Sequence, residues 1–147
     1  PFDAPDADLI LRSAQSVDFR THKVILSLAS PVFRDMFSVP QPTLDDNGSC
    51  FLNGNGYVDG LPMVQMSETT TTLHYLLTAI YPFPPALPAS LEEMLLVLAA
   101  ATKFEMSGAL STICATMHMS GLYNAPLSRQ ALRIHGIACR HDLEDKA

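Results

Sequence analysis

Apolar positions near the start of the chain follow two different periods in succession. Leu9 to Leu11 and Val17 to Arg20 are short strand-like runs, separated by the polar stretch Ser13-Ala14-Gln15-Ser16, which suits a hairpin turn. From Lys23 the interval lengthens, and Val24, Ile25 and Leu28 fall at helical spacing. Ser30-Pro31 then predicts a second helix. A serine accepts a backbone N–H as N-cap, and proline has its φ already set for the first helical position. Val32, Phe33, Met36 and Phe37 form the apolar face of that helix.

Further along, Leu61 to Met66 reads as a strand, and Ser67 is expected to cap a helix carrying Leu73, Leu76, Leu77 and Ile80 at i, i+3, i+4, i+7. Pro82, Pro84, Pro85 and Pro88 cannot continue that helix. Ser90-Leu91-Glu92-Glu93 is a capping box that opens a helix expected to bury Leu91, Met94, Leu95 and Leu98. Ser107 opens the next, with Leu110, Ile113, Cys114 and Met117 in its stripe and Gly121 at its end. A last helix is expected from about Ser128 to Cys139, bearing Leu132, Ile134, Ile137 and Ala138. Residues 38–60 hold Pro40, Pro42, Asn47-Gly48 and the run Asn53-Gly54-Asn55-Gly56, and read as one long loop. Cys50 to Leu52 and Tyr57-Val58 flank the Asn-Gly run, which leaves room for a small extra hairpin. The organisation expected is a flexible leader at 1–7, one domain over 8–121, and a C-terminal helical extension at 122–147.

Composition narrows the function classes. A chain of 147 residues is long enough to bury a sizeable core in a single domain. It is 48% hydrophobic and only 16% charged, so part of the apolar surplus is expected to be covered by a partner. The net charge is -6 with no Lys/Arg run, which argues against nucleic-acid binding and against an anionic membrane surface. Cys50, Cys114 and Cys139 are odd in number and widely spaced, so no disulfide framework is expected. A reducing, intracellular compartment (cytoplasm or nucleus) is the plainer reading. No secretory signal opens the chain, and a start at Pro1 rather than Met is read as a fragment of a longer protein.

Chemistry-bearing residues are few. His22 has no Ser or Cys nucleophile motif near it and is expected to bridge a strand end and a helix start. Cys114 and His118, and again His135 and Cys139, sit four apart and could together offer two sulfurs and two nitrogens to zinc. The usual pairs are Cys with Cys and His with His, and a cysteine on an apolar stripe is ordinary core, so neither metal nor cofactor is expected. Gly54, Gly56 and Gly60 do not have dinucleotide-binding spacing. Asn47-Gly48-Ser49 matches a glycosylation acceptor that an intracellular chain would not use.

Two stretches carry a resemblance. D-L-I-L at Asp8 to Leu11, followed by F-R-T-H-K-V-I-L-S-L-A-S-P-V-F at Phe19 to Phe33, resembles the opening of a BTB/POZ domain, with Phe19, His22, Lys23, Leu26, Ser30 and Phe33 at the anchor positions. L-P-M-V-Q-M-S-E at Leu61 to Glu68 and L-L-T-A-I-Y-P at Leu76 to Pro82 are looser matches. The chain looks most like BTB domains common in fungal proteins, where a proline-rich loop follows that tyrosine. The resemblance implies a mixed α/β fold of α+β type: a small three-stranded sheet covered by a cluster of about six helices. It also implies a non-catalytic protein–protein interaction module that forms dimers or higher oligomers. In many members the first helix contributes to the dimer face, and a charged pocket there pairs the acid of the first strand with the base after the histidine, here Asp8 and Lys23. The expected interface is therefore Asp8, Lys23, Val24, Ser27 and Leu28, with a homodimer as the first partner. The alternative is an adaptor or scaffold that recruits a cullin-type ubiquitin ligase or a transcriptional partner. Pro82, Pro84, Pro85 and Pro88 replace the short strand many animal members carry at the cullin-facing surface, so cullin binding is allowed and not implied.

Overall fold

The computed structural model describes residues 2–39 and 56–120. The expected strand at 50–52, the acceptor Asn47, the extension at 122–147 with its helix at 128–139, and the zinc candidates His135 and Cys139 lie outside the described residues.

Strands β1 (Leu9–Arg12) and β2 (Asp18–Thr21) form the expected antiparallel hairpin, with Leu9 opposite Thr21 and Arg12 opposite Asp18. Its turn closes through the Ser16 N–H to the Ser13 carbonyl and the Ser13 N–H to the Val17 carbonyl, both 2.9 Å, with Ser16 at φ 62°. At its mouth Arg12 grips Asp18 with two parallel bonds, Nε to Oδ1 at 2.6 Å and Nη2 to Oδ2 at 2.8 Å. Those guanidinium bonds, and secondarily the charge behind them, hold the Asp18 carboxyl below the usual carboxylate range. A depressed folded-state pKa contributes stability above the unfolded value near 4 and loses it as pH falls through the folded value. Asp18→Asn is therefore expected to lower stability slightly at pH 7, by less than about 1 kcal/mol for so exposed a pair. The difference from the parent should shrink as pH falls below the unfolded carboxyl value near 4 and vanish once the folded carboxyl is protonated; urea midpoints of the two proteins across pH check this.

The sheet has four strands rather than the three expected, in the order β2-β1-β4-β3. Strand β4 (Leu61–Gln65) runs parallel to β1, with Ile10 opposite Met63, and β3 (Gly56–Val58) pairs antiparallel with β4. The turn between them is Asp59-Gly60, with φ of 53° and 77°. Two successive positive φ angles are what a two-residue hairpin of type I′ requires, and Asp-Gly supplies them at little steric cost. Tyr57-Val58 pairs across Asp-Gly with Leu61-Pro62; the hairpin expected across the Asn-Gly run lies outside the described residues.

A parallel β1–β4 pair needs a crossover between them, and helices α1 (Lys23–Ala29) and α2 (Pro31–Ser38) lie within it. Ser30 joins the two. Its hydroxyl donates to the Phe104 carbonyl at 2.5 Å and accepts the Phe33 N–H at 3.2 Å, the N-cap role expected of it. Helix α3 (Thr70–Ile80) starts later than Ser67 implied, because Thr69 accepts the Thr72 N–H while the Ser67 hydroxyl accepts from the Lys103 ammonium at 3.0 Å. Helices α4 (Leu91–Lys103) and α5 (Ser107–Met119) complete the described set of five, against about six expected. The capping serine of α4 is as expected, Ser90 Oγ accepting the Glu93 N–H at 3.1 Å.

The main core lies between the sheet and the helices. Leu9 and Leu11 of β1 meet Leu26, Phe33, the Leu73-Leu76-Leu77 stripe of α3, and Phe104, whose ring stacks on Phe33 at 5.0 Å. A second cluster holds α4 to α5 through Met94, Val97, Leu98, Ile113 and Met117. From Phe2 onward the leader segment packs on the domain. Phe2 is buried against Phe19, His74, Tyr81 and Phe83 at centroid distances of 5.5–5.9 Å, and its carbonyl accepts the Arg20 N–H. An aromatic side chain with four ring neighbours offsets the ordering of a short terminal segment. Among the described residues no helix is long and apolar enough to cross a membrane.

Candidate interaction surface

Helix α1 has seven residues, and of these only Leu26, at 0% exposure, enters the core. So short a helix is not stable by itself, and its position depends on what holds its first turn. Its N-cap residue, His22, gives no side-chain cap. Two distant residues supply the missing acceptors. The Asp8 carboxylate, at the start of β1, accepts the Lys23 N–H at 2.7 Å, and the Tyr81 hydroxyl, at the end of α3, accepts the His22 N–H at 2.9 Å. Asp8 also places a negative charge at the positive end of the helix.

His22 bridges strand and helix as expected. Its Nδ1 lies 3.1 Å from the Tyr81 hydroxyl and its Nε2 lies 3.4 Å from the Asp6 carboxylate. Burial, more than any neighbouring charge, pushes the Tyr81 phenol above its ordinary range, so it keeps its proton at neutral pH. Every group is satisfied when Tyr81 donates to Nδ1 and the ring proton sits on Nε2 toward Asp6. This is a positioning network without a nucleophile.

The five residues expected at an interface lie together along α1 and its entrance. Asp8 is exposed. It joins Lys23 through the backbone N–H of that residue, while the Lys23 ammonium lies 6.0 Å from the centre of the Phe37 ring. Ser27 is half-buried, and Val24 and Leu28 are 63% and 84% exposed. One helical turn separates Val24 from Leu28, so the two share a stripe directed away from the core.

The sequence reading missed what lies beside that stripe. Leu28 stands on the lip of a shallow apolar groove of about 430 Å³, walled by Ile25 and Ala29 of α1, Ala79 and Ile80 of α3, and Gly108 and Thr112 of α5. The small residues opening α5, Ser107-Gly108-Ala109, were the available signal, but nothing local says which helix they face. Among the described residues that line the groove none is charged. Cys114 is half-buried on α5, and no group of three or more His, Cys, Asp or Glu among the described residues could hold a metal ion.

Comparison with known proteins supplies independent information. A family model described as BTB/POZ domain matches residues 4–120. No curated protein matches the chain. Among solved structures it is similar to the BTB domain of zebrafish PATZ1, at 18% sequence identity and a TM-score of 0.52, over 77% of this chain and 76% of that one. At that identity the likeness concerns the fold.

Proposed function

This chain belongs to the BTB/POZ domain family, and on that footing we propose that its outer α1 face mediates homodimerisation, with Asp8, Lys23, Val24, Ser27 and Leu28 in the contact. BTB domains are in general non-catalytic modules that bind other proteins and often assemble with themselves. The observation that carries the finer reading is the adjacent exposure of Val24 and Leu28 on a helix otherwise fixed to the core. Apolar anchors that lose their water dominate interface energies, and rim charges do not. Burying these two side chains from each of two copies contributes roughly 6–12 kcal/mol gross. Association itself costs about 4–15 kcal/mol, so the dimer is one that dilution dissociates.

Lys23→Glu tests the charged end of this face. It puts a carboxylate on the residue whose backbone N–H Asp8 accepts, so a two-fold contact would gather four carboxylates in place of two carboxylates and two ammonium groups. The dimer dissociation constant is expected to rise on the order of tenfold, about 1.4 kcal/mol. Sedimentation of mutant and parent at equal concentration checks this, and identical mass distributions would remove Asp8 and Lys23 from the contact. An unbiased pull-down with the chain as bait separates the adaptor reading: enrichment of a cullin-type scaffold or a transcriptional partner favours that role, and recovery of self-peptides alone favours homodimerisation.

A further inference from the structure

We infer that Lys103 is a charge-operated latch: its ammonium holds Glu68 in the interior, and a neutral acyl group on that amine releases Glu68 and loosens the β1–β2 turn from the end of α4. This device stands apart from the self-association proposed above. Lys103 is the last residue of α4, and its Nζ lies 2.6 Å from Glu68 Oε1 and 3.0 Å from the Ser67 hydroxyl. The same ammonium lies 5.0 Å from the centre of the Phe104 ring. The pair is lopsided in depth. The Lys103 side chain is 53% exposed, and that of Glu68 only 9%. The base can be reached from solution, and the acid depends on it from within.

Glu68 has little else to hold its charge. Oε1 also accepts the Ser67 hydroxyl at 3.2 Å, but Oε2 is buried and meets no hydrogen-bond partner among the described residues. Removing one member of a buried ion pair leaves the other as an uncompensated charge. The half-exposed ammonium is 2.6 Å away, so a short movement takes the carboxylate to water. That movement pulls on main chain that other elements use. The Glu68 carbonyl accepts the Ala14 N–H of the β1–β2 turn at 2.9 Å, and two residues on, the Thr70 N–H donates to Gln15 Oε1 at 2.7 Å. The hairpin turn, the start of α3 and the end of α4 therefore meet at one ion pair.

The other lysine among the described residues lacks this arrangement. The Lys23 ammonium lies near the Phe37 ring, and Asp8, which takes the Lys23 backbone N–H, is exposed. Neutralising Lys23 strands no buried charge. The chemistry of the group added to Lys103 also matters. An acyl group removes the charge of a lysine, and a methyl group keeps it. The latch thus answers to acylation and not to methylation.

The test uses the 147-residue protein with Nε-acetyllysine placed at position 103 during synthesis, beside Lys103→Arg, Lys103→Met and the double variant Lys103→Met with Glu68→Gln. Acetylation and Lys103→Met should each lower the melting temperature by at least about 4 °C. Both should quicken amide exchange at Ala14 on the order of tenfold, with much less change in α5. Lys103→Arg keeps the charge and should match the parent in both measurements. The double variant carries no buried charge and should recover most of the loss. If Lys103→Met does not fold, the double variant decides: recovered folding supports the latch, and no recovery overturns it. Acetylated protein that behaves like Lys103→Arg overturns it as well, and so does exchange that quickens equally in the turn and in α5.

Discussion

Leu26→Ala is expected to lower the unfolding free energy by about 2–5 kcal/mol, the range for a leucine removed from a packed interior. Leu28→Ala, two positions away on the same helix, should change it by less than about 0.5 kcal/mol. The contrast follows from burial. Leu26 is at 0% exposure within the cluster that includes Leu9, Phe33 and Leu73, and it is the one buried anchor that α1 has. Truncating it leaves a cavity in the main core, between the sheet and the helices. A domain with a total margin of about 5–15 kcal/mol would lose a large share of it. Urea denaturation at a concentration where the chain is monomeric gives both values. Equal destabilisation by the two substitutions would mean that Leu28 also packs inward, and the outer face described here would not exist.

Tyr81→Phe is expected to cost about 1–3 kcal/mol, the penalty for leaving partly buried polar groups without a partner. The ring contacts to Phe2 and Phe83, at 5.5 and 5.8 Å, survive the substitution. Only the hydroxyl is lost, and with it the acceptor for the His22 N–H and the partner of His22 Nδ1. The first turn of α1 should loosen, so amide hydrogen exchange at His22 and Lys23 should quicken more than exchange in α4 or α5. Asp6→Asn should have a much smaller effect, since Asp6 is exposed and stands 3.4 Å from Nε2. Unchanged exchange at His22 in Tyr81→Phe would show that the phenol does not hold the helix.

The same two residues mark how far local patterning reaches. The hairpin, the start of α1, the Ser30-Pro31 restart and the Ser90 cap were legible because each depends on neighbours within a few positions. The direction of α1 was not. Val24, Ile25 and Leu28 have the helical spacing, yet the residue that enters the core is Leu26, and only the position of the sheet decides which face turns inward. The role of Tyr81 was hidden for a related reason, since it lies 59 positions from the backbone amide it accepts. Phe2 looked like part of a loose leader because its ring neighbours are spread from Phe19 to Phe83. Asp59-Gly60, by contrast, is a local hairpin signal, overshadowed by the more conspicuous Asn-Gly run before it. The groove beside Leu28 is built from three helices, so no single segment announces it.

Binding of a second copy by the outer face of α1, as proposed, is read from the mass of the purified 147-residue protein across a dilution series. A dimer mass at high concentration should fall toward the monomer mass on dilution, with Leu28→Ala displaced to the monomer side throughout. A monomer mass at every concentration would contradict it.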